Sequence, residues 1–244
     1  MDPVGYRRLV IGGDLFSFEV TVKETDLYVR AVRNLKTKTE RLVRKYRSQV
    51  EGYIDRHPEF SRSLTPLRAA GDSPAIVKAM LEAGSRAGVG PMAAVAGAIA
   101  EFVGTELLRY SPEVIVENGG DIYLKSTKTR VVGIFAGDSP LSGKIGLEIV
   151  PEDTPIGICT SSGTVGHSLS LGKADAVVVL SPSATLADAA ATATGNLVRG
   201  ADDIPRALAF ATRIAGISGV VVIKGDKIGS SGNVELCRTH GIET

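Results

Sequence analysis

The sequence is short of the residues that build the commonest metal and redox centres. It has two cysteines, Cys159 and Cys237. Two are too few for a disulfide scaffold, and they fit a reducing compartment. Its three histidines, His57, His167 and His240, have no His or Cys partner at metal-ligand spacing, so a zinc site is not expected. Long apolar runs are also missing. The longest, Gly88–Ala100, is too short and too glycine-rich to span a bilayer. No apolar stretch follows Arg7 and Arg8, so no secretory signal and a cytoplasmic location are expected. A formal net charge of +1 gives no reason to expect nucleic acid or membrane as a partner. Repeats, low-complexity tracts and Pro/Ser linkers are absent as well. At 43% hydrophobic and 23% charged residues, long disordered stretches are not expected. The 244 residues are enough for one large domain or two small ones. One unit over 1–244 is expected, with N-terminal strands and a basic helix in 1–72 and the motif-bearing core in 73–244.

Hydrophobic periodicity supplies the elements. Leu9–Ile11, Phe16–Val22 and Leu27–Val32 read as strands, with Phe16, Phe18, Val20 and Val22 forming one buried face. Gly12-Gly13-Asp14 and Lys23–Asp26 are their turns. Leu42, Tyr46, Val50 and Ile54 recur at helical spacing between Thr37 and Arg56, and His57-Pro58 ends that helix. Ser73 reads as an N-cap, with Pro74 opening a helix to about Arg86. A long, fully buried helix is expected after Gly88-Val89-Gly90-Pro91, reaching Arg109. Strands near Val114–Glu117, Val131–Phe135, Leu147–Val150, Gly157–Cys159 and Ala176–Leu180 are expected to make a second sheet. Helices at Thr185–Thr194 and Ile204–Ile214 follow, then a hairpin of Gly219–Ile223 and Lys227–Ile228.

Three segments carry candidate chemistry. Asp188 and Thr192 lie one turn apart on a helix of alanines, Ala187-Asp188-Ala189-Ala190-Ala191-Thr192-Ala193. Their hard oxygens suit Mg²⁺. A plain buried helix with a satisfied threonine gives the same pattern. Asn118-Gly119-Gly120-Asp121 follows an apolar strand. Its glycines permit a tight turn and close approach by a ligand, although Asn-Gly is equally a simple turn signal. Thr160-Ser161-Ser162-Gly163 also follows a strand, and its hydroxyls can donate to phosphate or merely face water. Ser162 lacks the Gly-x-Ser-x-Gly elbow of a hydrolase nucleophile. Cys159 reads as core. Arg33, Lys36, Lys38, Arg41, Arg44, Lys45 and Arg47 meet only Glu40 nearby. They read as a solvated face or a surface for an acidic partner, without the aromatics that favour single-stranded nucleic acid.

The order Gly-Gly-Asp turn, Thr-Ser-Gly-like turn, histidine, Ala-Asp-(Ala)n-Thr-Ala helix resembles the ApbE-like superfamily, whose best-known members are FAD:protein FMN transferases. Gly88–Glu101, Glu117–Asp121 and Thr160-Ser161-Ser162 resemble an uncharacterised branch of it over nearly the whole chain. The resemblance implies an α+β, T-fold-related fold with antiparallel or mixed sheets packed by helices. It implies Mg²⁺ held by Asp188, Thr192 and an upstream backbone carbonyl assigned to Ala93. It also implies FAD, or a related dinucleotide, positioned by Asn118, Gly119, Gly120, Asp121, Thr160, Ser161, Ser162 and His167. Asp188 and His167 would be the catalytic pair. The implied reaction is FMN transfer to a protein acceptor, or hydrolysis of the FAD pyrophosphate. Two departures stand out. The Asp-Pro run after the histidine is Ser168-Leu169-Ser170-Leu171 here, and the family's Ala-Lys-Gly segment is Val95-Ala96-Gly97, without its lysine. Lys144, Lys173 or an N-terminal arginine are open as replacements. A flavin or nucleotide binder without the chemistry is the alternative, and a ligand-free interaction protein is a third. Homo-oligomerisation is left open.

Overall fold

The computed structural model describes residues 13–164 and 171–239. The predicted strand Leu9–Ile11, along with Gly12, His167 and His240, lies outside them. Strands β1 (Phe16–Val22), β2 (Thr25–Ala31), β3 (Val114–Asn118), β4 (Asp121–Lys125), β7 (Ile156–Ser161), β8 (Ala176–Ser181), β9 (Gly219–Lys224) and β10 (Lys227–Gly232) form one eight-stranded sheet. Its order is β1-β2-β3-β4-β7-β8-β9-β10, and every pairing is antiparallel. β5 (Arg130–Gly133), β6 (Ile145–Ile149) and β11 (Leu236–Arg238) make a separate sheet ordered β11-β6-β5. The expected second sheet is therefore redistributed. Strands β3, β7 and β8 continue the N-terminal strands, whereas β5 and β6 leave them.

The layering explains why the middle strands are apolar on both faces. Val114, Val116, Tyr123, Cys159, Val177 and Val179 pack into a core shared with the helices. The alternating residues Ile115, Ile122, Leu124, Ile158, Val178 and Leu180 pack into a second core with Val132, Leu147 and Ile149 of the small sheet and with Ile134 just after β5. Successive strand residues face opposite sides, so a sheet covered on both loses its polar alternation. At the edge, β1 keeps the alternation: Phe18, Val20 and Val22 are buried while Ser17, Glu19 and Thr21 are exposed. Phe16, expected on the buried face, is 61% exposed, because it begins the outermost strand.

The helices are α1 (Lys36–Arg56), α2 (Glu59–Arg62), α3 (Ala75–Ala87), α4 (Val95–Leu107), α5 (Ala184–Gly195) and α6 (Ile204–Ala211). Three expectations about them are corrected. Ser73 does not cap α3; its hydroxyl donates to the Ala70 carbonyl at 2.7 Å, and Pro74 is the N-cap residue. The helix after Gly90 begins as a 3-10 turn, Pro91–Ala94, before α4, and ends at Leu107. The basic residues of α1 are not limited to Glu40. Arg47 reaches Glu24 at 2.5 Å and Glu51 at 2.8 Å, and Lys45 reaches Glu106 at 3.3 Å. Those acids come from the β1–β2 turn, from one turn further along α1, and from α4. Among the described residues, no single helix is long and apolar enough to cross a membrane.

Candidate functional site

The β3–β4 turn is a two-residue hairpin in which Gly119 (φ 66°) and Gly120 (φ 103°) both take positive φ. That backbone matches the twist of the flanking strands and is open to glycine at little cost. The turn signal was legible; strand β4, which leaves it, was not. The hairpin lies beside β7, with Asp121 opposite Cys159. A side chain placed on Gly120 would meet Thr160 at 4.0 Å. Glu117 accepts from the Gly120 amide at 3.0 Å, which braces the turn from the preceding strand.

Helices α4 and α5 close onto this end of the sheet. Asn118 donates its side-chain amide to the Ala96 carbonyl at 3.1 Å. The next N–H in the chain, that of Gly97, donates to Asp188 Oδ2 at 2.8 Å. Asn118 and Asp188 therefore hold the two ends of one peptide group at the start of α4. A Cβ on Gly97 would sit 2.3 Å from the Ala184 carbonyl oxygen and 2.8 Å from Asp188 Cβ. Only a residue with no side chain lets α5 come this close. Gly157 serves the same packing from β7, where a Cβ would meet the Ala184 Cα at 2.2 Å.

The electrostatics of this corner are unusual. Asp188 is half-buried, and desolvation pushes its pKa up to about 7 even though the Gly97 and Ala96 amides favour its charged form. Asp121 is buried, and its pKa is driven well above the ordinary carboxylate range, first by burial and then by the charge of Asp188. Its Oδ1 is buried with no hydrogen-bond partner. Cys159 is inert core, as expected: its buried thiol donates to the Ala184 carbonyl at 3.3 Å, and burial beside Asp121 raises its pKa. The charges acting on Asp121 are both acidic, Asp188 and Glu117. The candidate replacements for the missing lysine, Lys144 and Lys173, both expose their side chains to solvent.

The remaining predicted residues fall around the same corner or leave it. Thr192 is half-buried one turn beyond Asp188 on α5, and Ala93 lies in the 3-10 turn, which packs on α5. Ser161 ends β7 against Gly195, the last residue of α5. Ser162 is half-buried, and its hydroxyl accepts from the Thr164 amide at 3.1 Å. His167 lies outside the described residues. A cleft of about 170 Å³ beside Glu148 and Glu235 and another of about 340 Å³ beside Phe102 and Arg109 include none of the predicted site residues.

Among the described residues, no three His, Cys, Asp or Glu side chains gather as a metal cluster. A hard cation here would therefore rely on hydroxyl and carbonyl oxygens as well as carboxylate. The donor types of Asp188 and Thr192 fit that, as does the orphaned, buried oxygen of Asp121 beside Asp188.

Glu101 belongs to this arrangement, although no sequence motif assigns it a role. Its Oε2 accepts from Ser183 Oγ at 2.9 Å, Thr185 N at 2.8 Å and Thr185 Oγ1 at 2.8 Å. The signal available was an acid four residues after Gly97, at the end of the small, apolar run Val95–Ala100.

Comparison with known proteins agrees with this architecture. A family model described as AbpE bacteria matches residues 7–224. A UPF0280 protein from Methanococcus aeolicus is 44% identical over 216 residues, covering 86% of this chain and 84% of its own. One from Methanopyrus kandleri is 44% identical over 225 residues, covering 89% and 91%. Among solved structures, the flavin transferase ApbE from Vibrio cholerae matches with a TM-score of 0.61 at 14% identity, over 89% of this chain and 96% of that one. The Pseudomonas stutzeri flavinyl transferase ApbE in its apo form gives 0.54 at 17% identity, over 89% and 93%. At these identities the structures speak to the fold, which is the α+β arrangement of antiparallel sheets packed by helices. The chain belongs to the AbpE bacteria family, alongside the UPF0280 proteins.

Proposed function

We propose that this protein is a Mg²⁺-dependent, ApbE-like enzyme acting on FAD or a related dinucleotide. The observation that carries the reading is the convergence of the Gly119-Gly120 turn, Thr160 and the half-buried Asp188 at one end of the sheet, beside the buried Asp121 with its unpartnered oxygen. Two of the structural neighbours are described as flavin transferases, which agrees with it.

In this reading the glycine turn and the hydroxyls of Thr160, Ser161 and Ser162 receive the nucleotide, with Asn118 and Asp121 framing the turn. His167 contacts a phosphate oxygen. Asp188, Thr192 and the Ala93 carbonyl would hold Mg²⁺, which when bound neutralises pyrophosphate charge and stabilises the departing phosphate. Asp188 Oδ2 accepts from the Gly97 amide, which fixes the carboxylate. An acceptor oxygen, from a protein hydroxyl or from water, bonds to the FMN-side phosphorus. The bond from that phosphorus to the bridging oxygen breaks, AMP leaves, and the acceptor's proton passes to solvent. The acceptor is a protein serine or threonine for transfer, and water for hydrolysis.

The test is incubation of the purified protein with FAD and Mg²⁺, with and without EDTA, following FMN and AMP by chromatography. Metal-dependent release of AMP supports the reading. FAD binding without cleavage would favour a flavin-binding protein on the same fold, the reading to which the missing family lysine at Ala96 points. Neither binding nor cleavage would overturn both.

A further inference from the structure

We infer that Glu101 is a positioning residue that sets Asp188 against α4 by holding the N-terminus of α5. The inference rests on the functional reading of Asp188 above, and it adds a residue to which the sequence motifs assign nothing.

The first amides of a helix have no intrahelical acceptors, so the groups that take them fix where the helix starts and how it is rotated. On α5 the Leu186 amide is taken by its own N-cap, Ser183, at 3.2 Å. The Thr185 amide is taken by Glu101, across 84 residues of chain. The same Glu101 oxygen also holds the hydroxyls of Ser183 and Thr185. Three donors on one carboxylate oxygen at the positive end of a helix make a charge-assisted grip, stronger than a neutral cap.

On α4, Ala94 is the N-cap residue and supplies no side-chain acceptor. The missing acceptor comes from Asp188, through the Gly97 and Ala96 amides. Glu101 and Gly97 are one turn apart on α4, and Thr185 and Asp188 are nearly one turn apart on α5. The two grips therefore act as a pair of pins between the helices. Release of the Glu101 pin frees α5 to slide or rotate, and a shift of 1 Å takes Asp188 out of hydrogen-bond range of Gly97. No other described side-chain hydrogen bond joins α4 to α5, and six of the twelve residues of α5 are alanines, which offer no polar side-chain atom for another.

The experiment compares the wild type with Glu101→Ala, Glu101→Gln and Glu106→Ala. Glu106 is on the same helix but pairs with Lys45 and Arg109 instead of α5. Two readouts are taken: amide exchange at Gly97 in metal-free protein, and affinity for Mn²⁺ used in place of Mg²⁺. The expected result is loss of Gly97 protection in Glu101→Ala while β8 and β9 stay protected, with Mn²⁺ affinity lowered by about tenfold or more, as for groups that orient a ligand. Glu101→Gln, which keeps an acceptor oxygen but no charge, falls between the two. Glu106→Ala retains wild-type values of both. If Glu101→Ala keeps Gly97 protection and Mn²⁺ affinity and loses only thermal stability, Glu101 is a structural brace and the inference is wrong. If Glu101→Ala does not fold, wild-type values in Glu101→Gln overturn it equally. If the wild type takes up no Mn²⁺, the cation reading of Asp188 fails, and Gly97 exchange alone decides whether Glu101 positions that residue.

Discussion

Asp188 and Glu101 cap each other's helices: Asp188, on α5, accepts from the first turn of α4, and Glu101, on α4, accepts from the first turn of α5. Each carboxylate supplies an acceptor from the other helix, and the two stretches are more than 80 residues apart in sequence. This reciprocity gives the corner a defined geometry. It also leaves Asp188 with a high pKa, because its amide partners do not outweigh its desolvation.

Asp188 makes stability fall with pH. Its pKa is about 3.8 in the unfolded chain and about 7 in the fold. Between those values the folded state binds more protons, so stability declines as pH rises from about 4 to about 7. Asp121, raised for the same reason, acts in the same direction. The metal-free Asp188→Asn variant is expected to have a shallower decline of thermal midpoint than the wild type. At pH 8 it should be at least as stable. Saturating Mg²⁺ should recover wild-type stability there and leave the variant unchanged. Parallel midpoint curves for the two proteins would count against a titrating Asp188.

Gly97→Ala tests the close approach of the helices. The added methyl meets the Ala184 carbonyl at 2.3 Å, and that backbone oxygen cannot move alone. Overpacking of this kind costs about 1–3 kcal/mol. Denaturant unfolding should show that loss, and FAD turnover should fall with it because Asp188 is displaced. Gly52→Ala, where a Cβ meets nothing within 4 Å, is the matched control.

A second charged cluster fastens the start of β1 to the small sheet. Arg130 bonds Asp14 at 2.6 Å and Glu113 at 2.8 Å, and Glu113 also accepts from Ser126 at 2.5 Å and Thr127 at 2.8 Å. Burial alone would raise the pKa of Glu113, but these partners outweigh it and hold it at about 2. Stability from Glu113 is thus full above its usual 4.5 and is lost as pH falls towards 2. Arg130→Met leaves Glu113 buried and unpaired, and a broken buried pair costs about 3–5 kcal/mol. Chemical unfolding at pH 7 should show this loss. At pH 2.5, where Glu113 begins to take up a proton, the difference between variant and wild type should shrink.

Asp188→Ala, compared with Thr192→Val, separates the cation reading from the helix-capping one. It removes both the proposed ligand and the cap on Gly97, whereas Thr192→Val removes only a proposed ligand. If Asp188 and Thr192 share a cation, Thr192→Val should weaken Mn²⁺ binding without loss of Gly97 protection in amide exchange. Unchanged Mn²⁺ affinity in Thr192→Val would take that residue out of the site.

Much of this arrangement was written in local sequence. Alternation in Phe18, Val20 and Val22, the Asn-Gly-Gly-Asp turn and the alanine run of α5 each specify an element within a few residues. The order of the motifs was enough to suggest the family. Other features were not legible locally. β4 was hidden because it begins at Asp121 and ends at Lys125, which leaves only three apolar residues between charged ends. β5 and β6 look like any other strands, and only packing sends them to a separate sheet. Ser73 has the composition of a cap, but its hydroxyl found a nearer carbonyl.

The sequence by itself determined most of the strands, the turn glycines and the small residues that let α4 and α5 meet, because backbone sterics and side-chain period act over a few residues. Tertiary structure alone decided that Asp188 caps α4, that Glu101 caps α5, and that Asp121 is buried against an acid. Capping in trans and a shifted pKa depend on which groups are brought together and how much water is excluded. Those are properties of a packed corner whose parts lie far apart along the chain.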